Sequence, residues 1–219
     1  MIDLKPACDQ MIEVVSGIAK EQLSGPTPCT EYTVGDLIDH VDLVAQGATA
    51  LARGSELPDT GYSHLEPDWQ GTFVHHLQAL GEAWEDPAAW EGSGNVPGSD
   101  LSNLTWGKIT LTELVVHGWD IAIAIGQPFD LPEHTLQACF DHVAVFVPNA
   151  PLPDLWGPPV EVPPDAALLV RILAITGRAP YRISYGCQGG SLVSMVMLRG
   201  TTLKGHSRCR GQTLIRPSA

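Results

Sequence analysis

Apolar residues recur at spacings of three and four through most of the first 182 residues, and alternating period-two runs are nearly absent. That period belongs to helices with one buried stripe, so the chain reads as an all-α bundle. Six helical segments follow. In 3–23, Leu4, Cys8, Met11, Ile12, Val15 and Ile18 form the stripe, and Gly25-Pro26-Thr27-Pro28 stops it. Thr33 reads as an N-cap with Asp36 in the first turn, opening a helix over 33–53. A third helix covers 69–85, with Phe73, His76, Leu77 and Leu80 on one side. Residues 86–109 read as a long connection. The fourth helix, 111–126, follows Thr110 and stops at Gly126; Pro132 opens a fifth over 132–147. Prolines make 148–164 extended, and a last helix over 164–176 ends at Gly177.

Charge divides the chain. Residues 1–182 hold all 25 acidic residues and 7 basic ones, a formal −18; the remainder holds 5 basic residues and no acid. Six glycines interrupt residues 183–219, and no apolar period persists there. The division is therefore 1–182 for the bundle and 183–219 for a Gly-rich, basic C-terminal extension, flexible or loosely docked, with non-native sequence as an alternative reading. The net charge of −13 opposes the basic footprint that nucleic-acid binding needs. No run of about 18 apolar residues exists, so no membrane span is expected. Met1–Pro6 lacks the pattern of a secretory leader. Five dispersed cysteines without a CxxC pair suit free thiols in a reducing cytoplasm.

The chemistry candidates are few. Phosphate-loop, dinucleotide and nucleophile-elbow motifs are absent. Glu113 and His117 stand four apart, on one helix face. A carboxylate and an imidazole so placed can share a divalent ion. The competing reading makes Glu113 the return partner of a Thr110-x-x-Glu113 capping box. His40 lies inside the apolar stripe of the second helix, either as a packed core histidine or as a third ligand. Three such ligands would leave one coordination position open, the pattern of catalytic zinc.

Several blocks then resemble the actinobacterial mycothiol-dependent maleylpyruvate isomerase-like family, within the DinB-like superfamily of metal-binding four-helix bundles. They are Thr27-Pro28-Cys29-Thr30-Glu31-Tyr32-Thr33-Val34, Asp36–His40, Glu113–Ala122, Gly126-Gln127-Pro128 and Leu173–Pro180. The resemblance covers roughly 1–182. It implies a DinB-like four-helix bundle with additional short helices, and a divalent metal, zinc in the isomerase, held by His40, Glu113 and His117. Nickel or iron also suits such donors. Tyr32 stands where family members usually carry Trp. The isomerase has a further α/β domain, for which the residues after 182 are too few, so maleylpyruvate as substrate does not carry over with the bundle.

Around those ligands, Asp120 is placed to accept from the His117 ring, with an exposed or cap-bound role as the alternative. His76 and Asp120 are the candidates for acid–base work, and a packed core role competes for His76. Cys29, Tyr32 and Trp119 are candidates for the wall of a thiol or substrate pocket, with packing as the alternative. The expected function is a metal-binding, thiol-dependent isomerase or S-transferase, with mycothiol as cosubstrate and thiolate or water at the open position. The alternatives are a metal-dependent hydrolase and a non-catalytic, metal-stabilised ligand-binding bundle. Expected partners are a small-molecule substrate and a thiol, neither nucleic acid nor membrane, for a cytoplasmic monomer or homodimer.

Overall fold

The computed structural model describes residues 1–57, 63–94, 101–150 and 156–180. Among the described residues the structure is all-helical: α1 Lys5–Ser16, α2 Val34–Arg53, α3 Trp69–Ala83, α4 Asn103–Ile125, α5 Glu133–Phe146 and α6 Leu168–Ile175. Short 3-10 turns cover Lys20–Gln22, Pro87–Trp90 and Val147–Asn149.

The first four helices close a bundle. α1 packs on α3 and α4, and α2 packs on the same two. Around the ring the order is therefore α1, α3, α2, α4, and the main contacts never join α1 to α2 or α3 to α4. Those two diagonal steps need long connections, and the chain supplies them after α1 and after α3. The shared core holds Met11 and Val15 of α1, Leu37 and Val41 of α2, Phe73 and Leu77 of α3, and Leu114 and Ile121 of α4, all buried. α5 packs on the outside of α4, and α6 packs on α5. None of the described helices is long and apolar enough to cross a membrane.

Local chemistry explains the ends. Thr33 caps α2 as expected: its hydroxyl accepts from the Asp36 N–H, and the Asp36 carboxylate accepts from the Thr33 N–H at 3.0 Å. Three segments depart from expectation. α1 stops at Ser16 because Gly17 turns the backbone out of the helix, so the apolar residues up to Leu23 sit in a cap and a 3-10 turn. α6 begins at Leu168 rather than 164. The largest difference is α4, which starts eight residues before the expected 111. Ser102 is its N-cap, accepting from the Thr105 N–H at 3.3 Å. Thr110 therefore lies inside the helix, where its hydroxyl donates to the Trp106 carbonyl at 2.9 Å. The capping box with Glu113 does not form, and the Glu113 carboxylate is left for other partners. The expected long connection contains the start of this helix and the turn Pro87–Trp90.

That turn seats a pair of buried indoles. The Trp84 and Trp90 rings meet edge to face with centroids 4.7 Å apart. Trp84 Nε1 donates to the Ala48 carbonyl of α2, and Trp90 Nε1 to the Trp84 carbonyl. The end of α3 is thus tied to α2 through satisfied donors, as buried indoles require. The expected C-terminal extension, 183–219, lies outside the described residues.

Candidate metal centre

Two facing helices bring three donors together. The capped first turn of α2 fixes the register that turns His40 toward α4. α4 carries Glu113 and His117 one turn apart on its facing side. Glu113 Oε2 lies 3.1 Å from His40 Nε2 and 3.0 Å from His117 Nε2. The three ligand atoms all fall within 4.8 Å of one another. With bonds of about 2.0–2.2 Å, a tetrahedral ion holds its donors roughly 3.3–3.5 Å apart. Small side-chain movements therefore suffice for one ion, and two imidazoles with one carboxylate are donors that suit a borderline cation such as zinc.

Exposure is graded across the site. The side chains of His40, Glu113 and His117 are 32%, 13% and 8% exposed. The approach from solvent therefore lies on the His40 side. The Tyr32 ring stands there, 5.7 Å from the His40 ring and tilted against it. The two imidazoles meet edge to face at 5.1 Å.

The electrostatics favour an anionic carboxylate. Burial alone would raise the Glu113 pKa, but hydrogen bonds from His117 and His40 outweigh it and bring the value down to about 2. Burial likewise works against a charged His117, yet Asp120 and Glu113 raise its pKa to about 8. In the metal-free protein these two carboxylates favour the protonated ring, with both nitrogens donating. His117 Nε2 would give up its proton to hold an ion there.

The other nitrogen of His117 faces Asp120: Nδ1 lies 3.2 Å from Asp120 Oδ2. Asp120 is fully buried, not exposed or cap-bound. Its counter-charge is Arg178, whose Nη2 donates to Oδ2 at 2.8 Å and whose Nε donates to Oδ1 at 3.4 Å. Sequence reasoning did not single out Arg178. It stands 58 residues from Asp120, and no local spacing could announce the contact.

The structure also gathers Cys29, His117 and Asp120 closely enough to share an ion. Asp120 already pairs with Arg178 through both oxygens and with His117 Nδ1 through Oδ2, so an ion held by this triple would compete with those hydrogen bonds. Cys29 is half-buried beside the centre, and burial, the largest influence on it, raises its thiol pKa. His76 is not part of either triple. Its Nδ1 pairs with the buried Asp42 of α2 at 2.8 Å, and Gln46 donates to the same carboxylate at 2.7 Å. Trp119 is buried on α4, and Tyr32 is exposed. Cys8, Cys29 and Cys139 are free thiols.

A family model described as the mycothiol maleylpyruvate isomerase N-terminal domain matches residues 4–122, more than half of the chain. The chain belongs to this family. All three donors of the candidate centre lie inside the matched span, and Arg178 lies beyond it. Two uncharacterized proteins of Mycobacterium tuberculosis, from strains CDC 1551 / Oshkosh and ATCC 25618 / H37Rv, are each 29% identical over 130 residues. The match takes in 57% of this chain and 66% of each relative, so the chain spans just under two thirds of their length. No solved structure matches.

Proposed function

We propose that the protein binds one divalent ion, most readily zinc, through His40, Glu113 and His117, and uses it in thiol-dependent isomerase or S-transferase chemistry. The observation that carries the reading is one carboxylate oxygen facing two imidazole Nε2 atoms at 3.0 and 3.1 Å. The family, described by mycothiol and maleylpyruvate isomerase, supports a low-molecular-weight thiol such as mycothiol as cosubstrate. A bound ion in such a site supplies a Lewis acid that lowers the pKa of a thiol or water at its open position.

The chain's own residues divide the remaining tasks. Glu113 gives the site its negative charge. Asp120 keeps a proton on His117 Nδ1, so Nε2 is the nitrogen that would give up its proton and ligate. The partly exposed His40 and the Tyr32 ring border the entry, with Cys29 beside the centre. A cytoplasmic setting, where thiols stay reduced, suits this chemistry and the free cysteines.

Elemental analysis of protein purified without chelators tests the centre, beside His40→Ala, Glu113→Ala and His117→Ala. The expected result is about one divalent ion per chain, lost in each variant. A wild-type chain that takes up no ion even after loading with zinc overturns the reading. Thiol dependence is then read on cobalt-substituted protein. A physiological thiol should add a sulfur-to-metal charge-transfer band in the near ultraviolet. A spectrum indifferent to thiol would favour a non-catalytic, metal-stabilised bundle.

A further inference from the structure

We infer that Arg178 is a positioning residue of the metal centre, acting through Asp120 on the His117 ring, so that the working site includes the turn after α6. The inference rests on the metal-binding reading above.

Three observations support it. First, Arg178 and Asp120 are buried together, with side chains 10% and 0% exposed. The guanidinium meets both carboxylate oxygens, and its Nη1 donates to the Thr176 carbonyl at 2.9 Å. A planar fork held at three points fixes the plane of the carboxylate, which an ammonium on a flexible stem does less well. Second, the oxygen that takes the shorter Arg178 bond is the one that faces His117 Nδ1 at 3.2 Å. The chain of contacts runs Arg178, Asp120, His117 and then the open side of the imidazole, where Glu113 Oε2 marks the centre.

Third, the backbone delivers Arg178 by a defined motif. At the end of α6 the Gly177 N–H bonds to the Ala174 carbonyl at 3.2 Å, and the Arg178 N–H to the Leu173 carbonyl at 2.8 Å. This is a Schellman turn, with Gly177 in the left-handed region at φ 83°. Arg178 therefore leaves the helix from a fixed position rather than from a pliant loop. Carboxylate partners of metal-bound histidines hold the ring and its tautomer; losing one costs roughly 10- to 100-fold in metal affinity. A group that fixes that carboxylate acts on the same quantity.

The test is zinc affinity, measured by chelator competition on the full chain, for wild type, Arg178→Ala, Arg178→Lys, Asp120→Asn and the Asp120→Asn/Arg178→Ala double variant. Arg178→Ala is expected to weaken zinc binding roughly 10- to 100-fold, and Arg178→Lys to recover part of that loss. The double variant should bind within about twofold of Asp120→Asn alone, because the effect passes through the carboxylate. A second readout is the His117 Nδ1–H proton resonance in zinc-loaded protein, retained in wild type and broadened by exchange when Arg178 is lost.

Equal zinc affinity in wild type, Arg178→Ala and Arg178→Lys overturns the inference and leaves Arg178 as a helix-docking residue. Losses that multiply in the double variant overturn it too, since Arg178 would then act by another route. Should Arg178→Ala fail to fold, unchanged affinity in Arg178→Lys is the overturning result. A wild-type chain without zinc affinity removes the metal reading itself, an outcome distinct from all of these.

Discussion

The centre turns on the two nitrogens of one histidine. With His117 raised to about 8 and Glu113 lowered to about 2, the metal-free protein has a definite pH signature. A histidine whose folded pKa is raised contributes stability that is full below its unfolded value of 6.5 and is lost as pH rises through about 8. A carboxylate whose folded pKa is lowered contributes stability present above 4.5 and lost as pH falls through about 2. From these two groups, chelated protein should be most resistant to denaturant between 4.5 and 6.5, and His117→Gln should flatten the alkaline decline. Zinc binding follows the opposite slope on that side. Because Nε2 must shed its proton, affinity should climb from pH 6.5 to about 8 and then level off. Calorimetry in buffers of different ionisation enthalpy should show close to one proton released per zinc at pH 7. Binding without proton release would mean that His117 is already neutral. At this scale the candidate donors were legible: Glu113 and His117 share a helix face by arithmetic, and His40 sits in a block that resembles the family. Arg178 lay in a resembling block, Leu173–Pro180, but its pairing with Asp120, 58 residues away, leaves no local pattern.

At the scale of elements, periodicity located the helices better than their ends. The stripe of α1 continues to Leu23, yet Gly17 ends the helix, because apolar residues can be buried by a turn as well as by a helix. The start of α4 was hidden for a related reason. Asn103, Thr105, Gly107 and Thr110 are weak helix formers, and they disguise about two turns that tertiary packing holds in place. Gly107 makes the point testable. By propensity alone, Gly107→Ala would gain about 1 kcal/mol. Its Cβ would lie 2.6 Å from both the Trp84 and Trp90 rings, and both are buried and tethered by their indole N–H groups. Crowding of this kind costs roughly 1–3 kcal/mol. The net expectation is a loss of stability in denaturant titration, with zinc stoichiometry unchanged because the rings do not belong to the centre. A gain in stability would show that the indole pair yields easily. Removing a cap has a plainer sign. Thr33→Ala deletes one half of the capping box at the head of α2 and should cost about 1 kcal/mol.

Across the described residues a four-helix ring joins an outer layer, and the join reaches the candidate centre. α5 covers α4, α6 covers α5, and the turn after α6 returns Arg178 to Asp120 on α4. Helix count follows from periodicity, and the four-helix bundle from the family resemblance; which helices adjoin comes from the packing itself. The return path follows from neither periodicity nor resemblance, because its decisive contact is backbone against backbone. Gly177 and Gly157 pack so closely that a Cβ on Gly177 would sit 2.6 Å from the Gly157 Cα. No rotamer change relieves that clash, and the left-handed φ of 83° adds roughly 1 kcal/mol for any residue with a Cβ. Gly177→Ala is therefore expected to lower the unfolding midpoint and to weaken zinc binding in the same direction as Arg178→Ala, since both displace the guanidinium. Gly157→Ala is the graded comparison: its Cβ would stand 3.4 Å from the Gly177 Cα, ordinary contact, and its φ is not left-handed. It should leave zinc affinity near wild type. If Gly177→Ala loses stability while binding zinc like wild type, the turn anchors the outer layer alone, and the path from that layer to His117 is broken at Arg178.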